Sequence, residues 1–210
     1  MEIQVWSDVV CPWCYLGKHR LEEALRGDNA TTVTYRAFQL DPTPVLSPVP
    51  LKVALAEKFG GPARAEQMFG HVRTIAAGDG LELNFDRAIA ANTFDAHRLI
   101  AWAAAQGRQA AMLDALQFAH FTEGVDIGSH AALAGVAGSI GLDQAAAYAF
   151  LGTRDGADEV NADIQAARDY GITSVPTFVI DGRYAVQGAQ EVSVLQSAFA
   201  EIRRRESIAS

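Results

Sequence analysis

The only two cysteines of this chain, Cys11 and Cys14, stand at the junction of a strand pattern and a helix pattern. Residues 2–6 are rich in β-branched and aromatic side chains, and residues 12–25 carry apolar residues at helical spacing. Pro12 suits the first turn of a helix, where its missing N–H breaks no hydrogen bond. The pattern therefore predicts a redox-capable pair at a strand-to-helix turn.

The position of Cys11 indicates that it is the nucleophile. A thiol at a helix N-terminus feels the positive end of the helix dipole and nearby free N–H groups, which favour the thiolate. Cys14 follows one turn later and is expected to be more buried. It can reach back to Cys11 and close an intramolecular disulfide.

Three other interpretations of the pair compete with this one. A zinc site would need two further ligands, and the five histidines, at positions 19, 71, 97, 120 and 130, show no paired spacing. A structural disulfide that closes so short a loop would stabilise the fold weakly. An incidental pair is hard to reconcile with Pro12 and the strand-to-helix context.

The rest of the chain predicts an α/β fold with a helical block in its middle. A strand over residues 31–40 completes a βαβ unit, whose two strands should be parallel. Four prolines between residues 42 and 50 indicate a stiff connector, and residues 51–150 predict several helices and no strong strand. The remaining predicted elements are a helix at 157–170, strands at 177–180 and 183–186 around the turn Asp181-Gly182, and a helix at 191–204.

Charge and hydropathy limit the partners and the location that we expect. A net charge of −8 argues against a nucleic-acid backbone or an anionic membrane as the main partner. No stretch reaches transmembrane length, and the acidic start of the chain does not look like a secretory signal. We therefore expect a cytoplasmic protein, a compartment in which a lone cysteine pair is more often catalytic or metal-binding than structural.

A second informative segment, Gly171-Ile172-Thr173-Ser174-Val175-Pro176-Thr177-Phe178, precedes the third predicted strand. Taken alone, its proline could simply mark the start of that strand, since only about 5–6% of X–Pro bonds are cis. A family resemblance also rests on five segments along the chain. They are Ser7 to Lys18, Phe38-Gln39-Leu40-Asp41-Pro42, Asn92 to Leu99, Phe121-Thr122-Glu123-Gly124 and Val175 to Gly182.

With these segments together, the chain resembles the DsbA-like thioredoxin-fold disulfide oxidoreductases, most closely their FrnE-like branch, which is related to the 2-hydroxychromene-2-carboxylate isomerases. The resemblance implies an α/β, thioredoxin-like fold with a large all-helical insertion. Residues 1–45 and 155–210 would form the thioredoxin-like domain, and residues 46–154 the helical insertion.

The resemblance also implies a mechanism of thiol-disulfide exchange. Cys11 and Cys14 would be catalytic, while Pro12, Trp13, Val175 and a cis Pro176 would contact the substrate. The partners would be protein thiols and disulfides or glutathione, with no metal and no cofactor beyond the redox-active pair itself. Because Trp13 cannot carry charge, we expect a less oxidising pair than in relatives with histidine at that position.

Two other functions remain as alternatives. One is a glutathione-dependent isomerase or transferase acting on a small molecule, although such relatives typically carry serine at the position of Cys11. The other is a protein that binds or shields clients, which would leave both thiols idle. The presence of both cysteines favours disulfide chemistry.

Several polar residues near the motifs have less specific expectations. Asp8 could assist proton transfer at Cys14, but holding the turn through backbone hydrogen bonds is favoured. Asn92, Thr93 and His97 could line the cleft where the helical block meets the core, but a helix cap and a surface histidine are favoured. Lys18 is expected to lie on a solvated helix face.

Overall fold

A four-stranded mixed sheet forms the centre of the protein, whose computed structural model describes residues 1–209. The strands are β1 (Glu2–Ser7), β2 (Thr32–Ala37), β3 (Thr177–Ile180) and β4 (Tyr184–Gln187), in the order β2-β1-β3-β4. β1 pairs in parallel with β2 and antiparallel with β3, and β4 pairs antiparallel with β3. The predicted parallel βαβ unit is thus confirmed, and the two halves of the sheet come from opposite ends of the chain.

The tight turn between β3 and β4 follows from two residues with positive φ. Asp181 has φ of 49° and Gly182 has φ of 65°. The loop has three residues, Asp181 to Arg183, between the paired residues Ile180 and Tyr184, and the Arg183 N–H donates to the Ile180 carbonyl oxygen at 3.0 Å. Gly adopts positive φ most readily, and Asp does so more often than most other residues. The predicted hairpin is confirmed, with its second strand displaced by one residue.

Nine α-helices surround and extend the sheet within the described residues. They are α1 (Pro12–Ala24), α2 (Leu51–Ala56), α3 (Pro62–Gly78), α4 (Phe94–Ala104), α5 (Gln109–Phe118), α6 (His130–Ser139), α7 (Gln144–Leu151), α8 (Ala157–Asp169) and α9 (Val192–Ala209). A π-helical turn, Ala119–Glu123, follows α5 directly. Between β2 and α8 the chain forms α2 to α7 and the π-helical turn, which are joined by loops, with one isolated bridge between Pro50 and Ile89.

The alternation of side chains along β1 explains why helices pack on both faces of the sheet. Ile3 and Val5 point into the main core, which also holds Leu21 of α1 and Phe199 of α9. Trp6 is fully buried in a separate cluster on the opposite face. That cluster includes Ala167 of α8, Ile172 and Val179, so α8 covers the face opposite α1 and α9.

Aromatic side chains join α1 to the helical block. Tyr15 of α1 stacks on Phe121 of the π-helical turn, with ring centroids 6.1 Å apart. Phe85 contacts both Phe121 and Phe69, at centroid distances of 5.9 and 4.5 Å. The helix that carries the cysteines is therefore packed between the sheet and the helical block.

Lys18 is buried, so its predicted place on a solvated helix face is wrong. Its side chain is only 2% exposed, and Nζ contacts Glu22 at 2.6 Å and Asp114 of α5 at 2.9 Å. The sequence of α1 alone does not show that α5 covers this face. A buried ammonium is tolerated here because two carboxylates balance its charge.

Candidate active site

Cys11 occupies the N-cap position of α1. Its backbone is extended, with φ of −91° and ψ of 112°, and its N–H donates to the carbonyl oxygen of Asp8 at 3.2 Å. The carbonyl oxygen of Cys11 accepts the N–H groups of Cys14 and Tyr15, at 3.0 and 3.2 Å. The Cys11 side chain thus stands at the position of a capping side chain but makes no capping hydrogen bond.

The loop before β3 brings a second segment to Cys11. The Val175–Pro176 peptide bond is cis, as the family resemblance implies. The Cys11 thiol donates a weak hydrogen bond to the Val175 carbonyl oxygen, with 3.8 Å between sulfur and oxygen. The Pro176 carbonyl oxygen accepts the N–H of Gly188 at 2.8 Å, which ties this loop to the end of β4. Residues more than 160 positions apart therefore meet at the sulfur.

Gly17 allows this loop to approach α1, a role that the sequence analysis missed. A Cβ atom at position 17 would lie 2.7 Å from Cγ of Pro176 and 3.5 Å from the ring of Phe178. The distance of 2.7 Å is shorter than Cβ atoms in real structures approach other heavy atoms, whereas 3.5 Å is an ordinary contact. A glycine inside a helix lowers helix stability, and this cost was the available signal that position 17 has a packing role.

The two thiols differ in burial and in electrostatics. Cys11 is 4% exposed and Cys14 is 1% exposed, and both are free thiols. Burial raises the pKa of the Cys14 thiol well above its ordinary value, and the hydrogen bond and charge of Cys11 raise it further. A hydrogen bond from the Asp8 main chain lowers the Cys14 pKa, while the charge of the Asp8 side chain raises it. Cys14 thus favours its protonated form, and its use as a nucleophile requires a proton acceptor.

Pro12 and Trp13 lie between the cysteines and are both half-buried. The Trp13 ring packs against the aromatic cluster of the helical block, and its centroid lies 6.1 Å from that of His71 in α3. The structure thus places Pro12, Trp13, Val175 and Pro176 around the cysteine pair. Their substrate contacts stay a prediction.

Asp8 and His97 form a buried pair beneath the turn, so the predicted surface position of His97 is wrong. Asp8 is 1% exposed and His97 is 4% exposed. Asp8 Oδ2 accepts the N–H of Leu40 at 2.8 Å, in agreement with the favoured role of holding the turn. His97 Nε2 lies 3.4 Å from Asp8 Oδ1. The loop from β2 packs over α4 and covers the histidine, which the local sequence could not show.

The expected polar start of α4 is present, with one difference. Asn92 Oδ1 accepts the N–H of Phe94 at 3.0 Å, whereas the Thr93 side chain makes no capping hydrogen bond. Asn92 Nδ2 also donates to the Pro42 carbonyl oxygen at 2.9 Å. Asn92 therefore joins the proline-rich connector to the start of α4.

His120 is a second buried histidine, and the sequence analysis assigned it no role. It lies in the π-helical turn, is fully buried, and neither ring nitrogen has a hydrogen-bond partner within residues 1–209. Burial lowers the pKa of His120 to about 4, against a smaller opposite effect of the Asp8 charge. This imidazole is therefore neutral at physiological pH.

Residues 1–209 contain neither a membrane-spanning helix nor a group of metal-ligating side chains. No helix there combines the length and apolar character that a bilayer crossing requires. In the same part of the chain, no three His, Cys, Asp or Glu side chains are grouped so that they could hold a metal ion.

Comparisons with known proteins find similarity over nearly the whole chain. Residues 2–200 match the family model of the DSBA-like thioredoxin domain. The crystal structure of probable DsbA oxidoreductase SCO1869 from Streptomyces coelicolor is 35% identical in sequence and has a TM-score of 0.90. The match covers 96% of this chain and 89% of that one. The uncharacterized protein YwbO of Bacillus subtilis is 28% identical over 209 residues, 98% of each chain.

A more distant structure shares the fold. The cytosolic disulfide reductase DsbM from Pseudomonas aeruginosa, solved with GSH, is 20% identical and has a TM-score of 0.69. The match covers 98% of this chain and all of that one. The predicted fold class, thioredoxin-like with a large all-helical insertion, is confirmed. The domain boundaries at residues 45 and 155 stay a prediction.

Proposed function

The chain belongs to the DSBA-like thioredoxin domain family, and from this premise we propose that it is a thiol-disulfide oxidoreductase that uses Cys11 and Cys14. The observation that carries the proposal is the position of the Cys11 sulfur. It lies at the N-terminus of α1, 3.8 Å from the Val175 carbonyl oxygen, with Cys14 deeper in the same helix turn. Of the two buried sulfurs, that of Cys11 is thus the less buried, and that of Cys14 lies behind it.

The exchange would proceed in two balanced steps. The Cys11 thiolate attacks one sulfur of a substrate disulfide, which forms a mixed disulfide and releases the other substrate sulfur as a thiolate. Cys14 then loses its proton and attacks the Cys11 sulfur, which forms the Cys11–Cys14 disulfide and releases the second substrate thiolate. The substrate disulfide is reduced by two electrons and the cysteine pair is oxidised. The reverse sequence oxidises a dithiol substrate.

The second step needs a proton acceptor, because burial raises the pKa of Cys14. Asp8 is the carboxylate whose charge acts on Cys14, and its main chain donates to the same sulfur. We assign Asp8 as the group that accepts this proton. Its hydrogen bond from Leu40 holds the carboxylate in the loop that directly precedes α1.

The substrate would contact the loop before β3. Val175 is half-buried, and its carbonyl oxygen has only the weak sulfur hydrogen bond to Cys11. An extended peptide that pairs with this backbone would place its own sulfur close to Cys11. Trp13 adds apolar contact area on the other side of the cysteine pair.

One relative bears on the location and on the small-molecule partner. DsbM is described as cytosolic and was solved with GSH, which is consistent with an intracellular protein that exchanges disulfides with glutathione. The net charge of −8 is consistent with protein and small-thiol partners rather than nucleic acid. We therefore propose protein disulfides and glutathione as substrates.

Reduction of insulin by dithiothreitol tests the proposal with wild type, Cys11→Ser and Cys14→Ser. We expect wild type to accelerate the reaction and both variants to lose turnover. When the reduced protein is mixed with insulin and no dithiothreitol is added, Cys14→Ser should accumulate a mixed disulfide with substrate, visible by mass spectrometry, because Cys11 still attacks and no second thiol of the protein resolves the product. Turnover that survives Cys11→Ser would refute the assignment. Turnover of a glutathione-linked small molecule by both variants would favour an isomerase or transferase instead.

A further inference from the structure

One carboxylate oxygen of Asp8 lacks a hydrogen bond of ordinary geometry within residues 1–209, and a histidine from the helical block faces this oxygen. The oxygen is Oδ1, which is buried. His97 Nε2 lies 3.4 Å from this oxygen and 3.0 Å from the Phe38 carbonyl oxygen. A carbonyl oxygen can only accept a hydrogen bond, so Nε2 carries the hydrogen. The same N–H can turn from Phe38 towards Asp8 when the carboxylate is charged.

We propose that His97 is a positioning residue for the step in which Cys14 resolves the mixed disulfide. The proposal rests on the function proposed above, in which Asp8 accepts the Cys14 proton. His97 acts on Asp8 and not on the sulfur. Its N–H can donate to the Asp8 carboxylate and so hold that group in place beneath the cysteine turn.

The proton and electron balance of that step is simple. The Cys14 proton moves to the Asp8 carboxylate while the Cys14 sulfur attacks the Cys11 sulfur. The bond between Cys11 and the substrate breaks, and the substrate leaves as a thiolate. As Asp8 becomes neutral, the N–H of His97 can return to the Phe38 carbonyl oxygen, so no donor is left without an acceptor.

The other charged groups around the pair do not replace His97. On one side, His97 lines a cavity of about 20 Å³ together with Arg36 and Asp163, which form an ion pair at 3.2 Å. This pair balances its own charge, and the cavity has room for a single water molecule. On the other side, Asp8 acts on Cys14 and on His120. His120 stays neutral because burial lowers its pKa to about 4.

His97 is supplied by α4, which lies outside the segments that form the sheet and the cysteine turn. Two hydrogen bonds hold the residue. Its backbone N–H donates to the Thr93 carbonyl oxygen at 2.9 Å, and its ring N–H donates to the Phe38 carbonyl oxygen at 3.0 Å. The helical block therefore contributes to the exchange reaction and does more than cover the core.

The reaction of reduced protein with Ellman's reagent separates the two steps. Cys11 attacks the reagent and releases one coloured thiolate, and Cys14 then resolves the mixed disulfide and releases a second. Stopped-flow absorbance measures both rates as a function of pH. The variants are His97→Leu, which removes the N–H, and His97→Gln, whose side-chain amide can replace Nε2–H.

We expect His97→Leu to slow the second release about tenfold at pH 7, the effect of one charge-assisted hydrogen bond. The second release should be slower at every pH, because the carboxylate is no longer held beneath the cysteine turn. His97→Gln should restore most of the rate, and the first release should stay unchanged in both variants. A second release in His97→Leu as fast as in wild type, or one that His97→Gln does not restore, would overturn the proposal.

Two controls make the result specific. Thr93→Val alters a buried polar side chain one turn earlier, whose hydroxyl has no hydrogen-bond partner within residues 1–209, and should leave the rate of the second release unchanged. If His97→Leu does not fold, His97→Asn is used instead. The side chain of asparagine is too short to place its amide where Nε2 of His97 faces Asp8. Asn and Gln variants with equal rates of the second release would also overturn the proposal. Failure of wild type to give any second release would instead refute the proposed function.

Discussion

Replacement of Gly17 by alanine tests the close approach between α1 and the loop before β3. Alanine is normally favoured over glycine inside a helix by about 0.5–1 kcal/mol. At this position the new Cβ would lie 2.7 Å from Cγ of Pro176, whereas carbon atoms pack best at about 3.5–4.0 Å. The loop would have to move by about 1 Å, and overpacking of this kind typically costs about 1–3 kcal/mol. We therefore expect a net loss of about 1 kcal/mol in the free energy of unfolding.

Gly70 is the matched control, because it also lies inside a helix and a Cβ there would meet nothing within 4 Å. Gly70→Ala should gain the full helix-propensity benefit of about 0.5–1 kcal/mol. The two variants should then differ by about 2 kcal/mol, or about 1 M in the midpoint of urea unfolding. Gly17→Ala should also slow the attack of Cys11, because Val175 moves with Pro176. Equal upward shifts of both midpoints would refute the argument.

Two further predictions concern buried polar residues. The buried Arg98 guanidinium binds Asp95 and the carbonyl oxygens of Phe150, Thr153 and Asp155. Because one ammonium cannot replace all of these contacts, Arg98→Lys should lower the free energy of unfolding, measured in urea, by about 2–4 kcal/mol. A loss below about 1 kcal/mol would contradict this. His120 binds a proton at about pH 4 when folded and near 6.5 when unfolded, so stability should fall by about 3 kcal/mol as pH drops from 6.5 to 4. His120→Phe should flatten this part of a stability-against-pH curve measured by urea unfolding, and an unchanged slope would show that His120 is not the cause.

Much of the fold could be predicted because its signals are local in sequence. β-Branched and aromatic side chains marked β1, the turn Asp181-Gly182 marked the hairpin, and prolines and glycines marked the ends of helices. Most bounds differ from the predictions by one to three residues, whereas α9 continues five residues past its predicted end at residue 204. Each of these features depends on the backbone preferences of a few neighbouring residues.

The burial of individual polar side chains could not be predicted in the same way. His97 and Lys18 were expected to contact solvent, and both are buried. Lys18 is covered by α5, which carries its partner Asp114, and His97 by the loop after β2, which carries its partner Phe38. These partners lie 96 and 59 residues away in sequence. Periodicity within one helix indicates which face is apolar, but it does not show which distant segment covers a polar residue.

By itself, the sequence determined that a cysteine pair follows a strand and begins a helix, and that a proline precedes a distant strand. Only the tertiary structure decided that this proline meets Gly17, that Val175 contacts the Cys11 sulfur, and that Asp8 and His97 lie together beneath the turn. The physical reason is that secondary structure follows from preferences of adjacent residues, whereas the site consists of contacts between segments that only the packing of the sheet and helices brings together.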